Sequence, residues 1–197
     1  MRGRREGRSR WRAPLAALGF GLALACPAAA AEPFPIERLD DGGYVVVLRH
    51  ARAPGTGDPA GFRLDDCASQ RNLDDAGRAQ ARRLGERLRA SGIAAAAVYS
   101  SEWCRCLETA ALLGLGPVEA LPALNSFHQR PADRQPNLAA LRAFLAGLPA
   151  DGPLVVLVTH QVTIAAIAGR GAASGEAVIL EADGSGEPEV VGRIAAG

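Results

Sequence analysis

The chain has 197 residues, of which 48% are apolar and 22% are charged, so it can bury a sizeable core. This composition excludes a disordered tail, a collagen-like fibre and a scaffold held together by disulfides alone. The formal net charge is +1, but six of the 22 basic residues and one of the 21 acidic residues lie in residues 1–31. The remainder is therefore acidic on balance, which argues against a nucleic-acid-binding protein.

The first 31 residues follow the plan of a secretory signal peptide. A basic segment precedes an apolar stretch from Pro14 to Ala25, and Ala28–Ala31 offers A-x-A cleavage sites. The apolar stretch, about 12 residues, is shorter than the ~20 that a membrane-spanning helix needs. We expect a bacterial leader that is cleaved on export, leaving a periplasmic or secreted domain over residues 32–197 with no transmembrane segment. An uncleaved anchor and lipidation at Cys26 are the alternatives.

Apolar strands alternate with amphipathic helices along the rest of the chain. Tyr44–Leu48 and Leu154–Thr159 are nearly continuous apolar runs, typical of strands buried on both faces. Further strands are predicted at Ala95–Ser100, Val118–Leu121, Ala177–Leu180 and Val190–Ile194. Helices are predicted from Asp74 or Asp75 to Ser91, over Glu102–Leu113, over the segment with Leu138, Leu141, Leu145 and Leu148, and near Val162–Ala168. The alternation predicts a three-layer α/β/α sandwich with a mostly parallel central sheet, whose last two strands form an antiparallel edge.

Reactive side chains stand where the predicted strands end. Arg49 and His50 end the first strand, and His160 ends the strong later one. Arg105 lies one helical turn beyond the second strand. Active sites in parallel α/β sheets gather beyond the carboxyl ends of the strands. Each residue alone is more often a surface or loop residue, but two histidines and two arginines at equivalent ends favour one shared active site.

These residues resemble the histidine phosphatase superfamily, also called phosphoglycerate mutase-like. The resemblance is carried by Leu48-Arg49-His50-Ala51, by Leu73–Ala81 with Gly77 and Gln80, by Ser101, Arg105, Thr109 and Ala110, and by Val158-Thr159-His160. It implies a phosphoglycerate mutase-like fold and a metal-independent phosphoric monoester hydrolase without a cofactor. The leader and the cysteine-bearing loop resemble the branch that includes lipopolysaccharide-core heptose phosphate phosphatases.

The chemistry of four residues fits this resemblance. His50 would attack phosphorus and form a phosphohistidine. Arg49 and Arg105 would hold phosphoryl oxygens with planar guanidinium groups, and their charges would keep His50 unprotonated. His160 would bind the phosphoryl group and donate to an oxygen whose charge changes in the transition state. The expected partner is a small phosphorylated substrate, for example a sugar phosphate, a lipopolysaccharide-linked phosphate or a phosphopeptide.

Three positions depart from the family pattern. Ala51 replaces the usual glycine after the first histidine, and Gln161 replaces the Gly or Asp common after the second. Asn125 stands where many relatives have an acidic proton donor, which leaves the general acid unassigned. The other candidates for that role are all expected to be solvated surface residues: Asp58, Asp65, Asp66, Glu102 and His128.

The cysteines outside the leader are Cys67, Cys104 and Cys106. Cys67 lies in the loop after the first strand, while the other two flank Arg105, so both regions should border one pocket. A disulfide from Cys67 to either Cys104 or Cys106 is therefore expected, with three free thiols as the alternative. Their spacing does not favour a metal site.

Two other functions are compatible with the same residues. The first is a phosphate-binding protein that has lost catalysis with the missing acid. The second is a phosphoryl-transferring mutase, which export disfavours because an exported protein has little access to phosphorylated glycolytic substrates.

Overall fold

The structure is a computed structural model that describes residues 33–196 and, before them, Gly3 alone; the predicted signal peptide otherwise lies outside the described residues. The strands of this part are β1 Tyr44–Arg49, β2 Ala97–Ser100, β3 Val118–Ala120, β4 Val155–Thr159, β5 Ala177–Glu181 and β6 Val190–Ile194. Its α-helices are α1 Asp75–Ala90, α2 Cys104–Leu113, α3 Arg134–Ala146 and α4 Gln161–Ala168. Among residues 33–196, no helix is long and apolar enough to cross a membrane.

The six strands form one sheet in the order β3-β2-β4-β1-β5-β6. The first four strands in this order are parallel to one another. β5 is antiparallel to β1, and β6 is antiparallel to β5, which gives the predicted antiparallel edge. The chain leaves β1 for β2, and β4 later fills the position between them. The carboxyl ends of β1 and β4 are therefore neighbours, at the kind of place where parallel sheets bind ligands.

Helices cover both faces of the sheet, which explains the continuous apolar runs. In β1, Val46 and Leu48 pack in one core cluster with Leu84 of α1 and Leu113 of α2. The alternate residues of the same strand, Val45 and Val47, pack in a second cluster whose helical members include Leu141 of α3 and Ile164 of α4. Successive side chains of a strand point to opposite faces, so both faces must be apolar. The predicted α/β/α sandwich is confirmed.

The start of α1 packs against the loop that follows β1. Asp74 caps the helix by accepting from the amide of Gly77 over 2.8 Å. A Cβ atom at Gly77 would lie 2.0 Å from the carbonyl oxygen of Arg52, so only glycine permits this approach. Gln80 then accepts from the amide of Arg52 and donates to the carbonyl of Ser174, both over 3.0 Å. The Gly-x-x-Gln motif thus fixes the backbone just beyond His50.

The bounds of the elements differ from the prediction by a few residues. Helix α2 begins at Cys104 and not at Glu102, because Trp103 has extended backbone angles (φ −66°, ψ 131°). Helix α3 ends at Ala146, so Leu148 lies beyond it.

Candidate active site

The ends of β1 and β4 bring the two predicted histidines together. Arg49 pairs in register with Thr159, and the amide of His50 donates to the carbonyl of Thr159 over 3.0 Å. The rings of His50 and His160 have centroids 5.5 Å apart and planes inclined by 68°. Both side chains are buried. The pairing of the two strands therefore sets the distance between the rings.

A cleft of about 170 Å³ opens beyond these strand ends. All four predicted site residues line it, together with three residues whose role the sequence did not predict. The predicted residues are Arg49, His50, Arg105 and His160, and the additional ones are Asp58, Arg71 and Trp103.

The hydrogen bonds of His50 define a neutral ring with one free nitrogen. Its Nδ1 lies 2.8 Å from the carbonyl oxygen of Ala51, and because a carbonyl only accepts, Nδ1 carries the proton. The lone pair is then on Nε2. Burial lowers the pKa of His50 and three nearby arginine charges add to this effect, so that against the hydrogen bond to Ala51 the pKa falls to about 3. His50 is therefore neutral at physiological pH, with Nε2 available as a nucleophile.

Four arginine side chains line the cleft, and those of Arg49, Arg71 and Arg105 lower the pKa of His50. Arg49 donates from Nη1 to the carbonyl of Ala172 over 2.9 Å, and Arg105 donates from Nη1 to the carbonyl of Arg71 over 3.2 Å. The Nε atoms of Arg49 and Arg105 are buried and have no hydrogen-bond partner among the described residues. Burial, followed by the charge of Arg105, lowers the pKa of Arg49 and of Arg71. Buried donors without partners are rare, and both guanidinium groups belong to residues that line the cleft, where phosphoryl oxygens would supply acceptors.

The prediction that Asp58 is a solvated surface residue is wrong. Only 2% of its side chain is exposed, because its carboxylate pairs with the guanidinium of Arg105 inside the cleft. Burial alone would raise the pKa of Asp58, but hydrogen bonds from Arg105, Arg71 and Trp103 outweigh it and lower the pKa. Asp58 is therefore an ionised carboxylate and not a ready proton donor.

A series of hydrogen-bonded side chains holds the ring of His160. Oδ1 of Asn125 accepts from the amide of Glu102 (2.9 Å) and from the hydroxyl of Ser101 (3.1 Å), while its Nδ2 donates to Glu102 (2.6 Å). The proton of Ser101 thus faces Asn125, so Oγ of Ser101 accepts from Nε2 of His160 over 2.9 Å. Burial lowers the pKa of His160 well below its usual value. The neutral ring therefore carries its proton on Nε2 and a lone pair on Nδ1.

The other candidates for the general acid lie outside the cleft or at its rim. The side chain of Asp65 is 82% exposed and that of Asp66 is 40% exposed, which agrees with their predicted surface positions. His128 is exposed where the cleft opens. Glu102 and Asn125 bind each other and are not among the residues that line the cleft.

A disulfide joins Cys67 to Cys104 at the start of α2, with Cα atoms 5.6 Å apart. This confirms the predicted bridge and selects between its two possible partners. Cys106 is a free, buried cysteine, and burial raises the pKa of its thiol to about 12. The bridge fastens the loop that carries Arg71 to the helix that carries Arg105.

A model of the histidine phosphatase superfamily (branch 1) matches residues 45–135, a range that includes Arg49, His50 and Arg105. This segment is therefore homologous to the histidine phosphatases. The resemblance inferred from the sequence motifs is thus confirmed. No curated protein matches the chain significantly.

Solved phosphatase structures share this histidine phosphatase fold. The protein histidine phosphatase SixA complexed with tungstate matches with a TM-score of 0.59 and 17% identity, over 77% of this chain and 96% of that one. A mycobacterial glucosyl-3-phosphoglycerate phosphatase with inorganic phosphate matches with a TM-score of 0.53 and 17% identity, over 79% and 98% of the two chains.

One departure from the histidine phosphatase pattern has a physical explanation. The amide of Ala51 donates to Oγ1 of Thr109 over 3.0 Å, and that hydroxyl donates to the carbonyl of Arg105 over 2.7 Å. Thr109 of the family motif therefore links the His50 loop to α2. No non-glycine residue of the described ranges has a positive φ, so the position of Ala51 does not require glycine.

Sequence reasoning missed Arg71, Trp103 and the burial of Asp58. The expected disulfide was a usable signal for the first two, because Arg71 follows Cys67 closely and Trp103 directly precedes Cys104. Asp58 gave no such signal, since it lies in a loop rich in Gly, Pro and Asp, where a carboxylate is normally solvated.

Proposed function

We propose that the chain is an exported phosphomonoesterase that forms a phosphohistidine at His50. The observation that carries the proposal is the neutral, buried His50, which shares a cleft with four arginine side chains, three of which lower its pKa. A dianionic phosphoryl group would meet positive charge on several sides and a nucleophile at the end of a strand. The homology to phosphatases supports the same reaction.

In the first step Nε2 of His50 attacks phosphorus. The N–P bond forms while the ester P–O bond breaks, and the electron pair of that bond leaves with the alcohol oxygen. The N–H groups of Arg49 and Arg105 that the described residues leave unengaged, on Nη2 as well as on Nε, would hold the phosphoryl oxygens. In the second step water attacks phosphorus, the N–P electron pair returns to Nε2, and inorganic phosphate leaves.

The role of His160 depends on its protonation. Its neutral form has the proton on Nε2, bound to Ser101, so donation to a phosphoryl oxygen requires a second proton on Nδ1. A dianionic phosphoryl group in the cleft favours that protonated form. His160 would then bind the phosphoryl group in the charged state that burial alone disfavours.

The substrate should have a good leaving group. Asp58 is ionised, and Asn125 is bound to Ser101 and Glu102 outside the cleft, so neither supplies a proton to the leaving oxygen. Aryl and anomeric phosphates need that proton less than alkyl phosphates do. Sugar phosphates and lipopolysaccharide-linked phosphates with an anomeric ester are the natural substrates that fit this requirement.

Export is supported by two features. Residues 1–31 have the pattern of a signal peptide, and the Cys67–Cys104 disulfide is the kind of bond that persists in oxidising compartments.

Turnover of an aryl phosphate and an alkyl phosphate, each with and without a chelator, tests this function. We expect hydrolysis that the chelator does not change, and a rate that falls steeply from the aryl to the alkyl ester. Tight phosphate binding without hydrolysis would favour the phosphate-binding protein instead. Comparable rates on both esters would show that a general acid is present, since such an acid typically contributes about 10²–10⁴-fold.

A further inference from the structure

The carboxylate of Asp58 is saturated with hydrogen-bond donors. Its Oδ1 accepts from Nη1 of Arg105 (2.7 Å) and from the amide of Arg71 (3.0 Å). Its Oδ2 accepts from Nη2 of Arg105 (3.1 Å) and from the indole N–H of Trp103 (3.0 Å). A carboxylate offers about four lone-pair positions, and all of them are in use. Asp58 therefore holds other residues of the protein in place and has no lone pair left for the substrate.

The residue that Asp58 acts on is Arg105. The two contacts form a bidentate pair, which fixes the plane of the guanidinium as well as its position. Nη1 of Arg105 also donates to the carbonyl of Arg71, so the far end of the side chain is held from two directions. The Nε–H stays buried without a partner among the described residues. The second N–H of Nη2, which Asp58 does not engage, is likewise unused by the described residues, so both are donors that Asp58 leaves for a phosphoryl oxygen.

Asp58 is in turn held through its backbone. Its amide donates to Oε1 of Gln129 over 2.7 Å, and its carbonyl accepts from Nε2 of the same side chain over 3.1 Å. Nε of Arg71 donates to the carbonyl of the preceding residue, Gly57, over 2.8 Å. The loop is thus tied to two other segments, which gives the carboxylate a fixed place from which to orient Arg105.

We propose that Asp58 is a positioning residue that orients the guanidinium of Arg105, so that the N–H groups that Asp58 leaves free meet the phosphoryl group during transfer. This inference rests on the proposed function. The negative charge of Asp58 also repels a dianion, so its removal should leave ground-state binding unchanged or tighter. The loss should fall on the transition state, where alignment of the donor matters most.

The test compares Asp58→Asn with Asp65→Asn, a control that removes the same charge from an exposed side chain of the same loop. Asparagine keeps the size of Asp58 but loses the charged pair with Arg105. We expect Asp58→Asn to lower kcat on the order of 10²-fold, as about 1 Å of misplacement does, equally for aryl and alkyl esters. KM should change by less than about threefold, because the ground state gains or loses little. Asp65→Asn should keep both constants.

Calorimetry with inorganic phosphate and with vanadate, a transition-state mimic, gives a second readout. We expect Asp58→Asn to weaken vanadate binding far more than phosphate binding, whereas equal weakening would overturn the proposal. A kcat loss confined to alkyl esters would make Asp58 a general acid, and a gain in kcat would make it a blocking group; either result overturns the proposal. Should Asp58→Asn fail to fold, Asp58→Glu, which keeps the charge but displaces Arg105, must show the same selective loss of vanadate binding. The binding measurements need no turnover, so they separate failure of this inference from failure of the proposed function.

Discussion

His50 and His160 occupy equivalent places, each one residue past the end of one of two adjacent parallel strands, yet they are held by opposite ring nitrogens. His50 donates its Nδ1–H to the backbone carbonyl of Ala51, which leaves Nε2 free. His160 donates its Nε2–H to the hydroxyl of Ser101, which leaves Nδ1 free. The two histidines lie at the same level of the sheet, but Nε2 is the available ring nitrogen of His50 and Nδ1 is that of His160.

The two histidines also differ in what determines the tautomer of each ring. A backbone carbonyl can only accept, so the tautomer of His50 is set by the main chain and does not depend on another side chain. A serine hydroxyl can donate or accept, so the tautomer of His160 depends on Asn125 and Glu102, which engage the proton of Ser101. The tautomer of His50, the proposed nucleophile, is thus fixed by the main chain, whereas that of His160 depends on side chains that substitutions can rearrange.

Replacing each histidine with alanine should give the largest difference between them. We expect His50→Ala to lose on the order of 10⁴-fold or more in kcat, because the nucleophile is gone. His160→Ala should lose about 10²–10³-fold, the usual cost of one transition-state donor. Mass spectrometry after an alkaline quench should find a phosphorylated histidine in the wild type and in His160→Ala, but not in His50→Ala. A phosphoenzyme in His50→Ala would refute the nucleophile.

The sequence was sufficient to predict the sheet and to bring Arg49, His50, Arg105 and His160 to one side of it, because these follow from apolar periodicity and motif spacing. The burial pattern of β1 and β4 left little freedom in how the chain could fold, and the strand ends then carry Arg49, His50 and His160 to one edge.

What the sequence did not predict are interactions between segments distant in the chain. Asp58 meets Arg105 across 47 positions, and Ser101 meets His160 across 59. The sequence around Asp58 and Ser101 does not distinguish them from ordinary loop residues, because a distant hydrogen-bond partner produces no periodic pattern in the sequence. Asn125 illustrates the same limit: its position in the chain suggested a missing acid, whereas its contacts make it a support for Ser101.

The loss of folding stability at acid pH should be a smaller effect than the loss of activity on replacing a histidine. It tests whether His50 is buried in its neutral state. The pKa of His50 is lowered from 6.5 to about 3, so below pH 6.5 the unfolded chain binds a proton that the folded chain does not. Stability is therefore lost as the pH falls from 6.5 toward 3, and His160 acts in the same direction. By pH 5 the contribution of His50 amounts to about 2 kcal/mol. Denaturant unfolding at pH 7 and pH 5 should show that His50→Gln loses about that much less stability than the wild type. His128→Gln, at the exposed third histidine, is the matched control, and an unchanged pH slope in His50→Gln would contradict the burial of a neutral ring.

Removing the acceptor of His160 should have the smallest effect and act on this histidine alone. In Ser101→Ala the Nε2–H loses its oxygen acceptor and keeps only the sulfur of Cys106, a weak acceptor 3.5 Å away, so at a cost of up to about 1–3 kcal/mol the ring prefers one tautomer less strongly. We expect kcat to fall about tenfold with little change in KM, because the cost falls on His160 as a transition-state donor. Nitrogen NMR of the histidine rings should show the proton on Nε2 of His160 in the wild type and a mixture in Ser101→Ala, while His50 keeps its proton on Nδ1 in both. Ser100→Ala is the control, because it also removes one buried hydroxyl but one that donates to the backbone carbonyl of Ser101 over 2.8 Å. A proton on Nδ1 of His160 in the wild type would contradict the claim that the two histidines are held by opposite ring nitrogens. It would also show that Ser101 does not set the tautomer of His160.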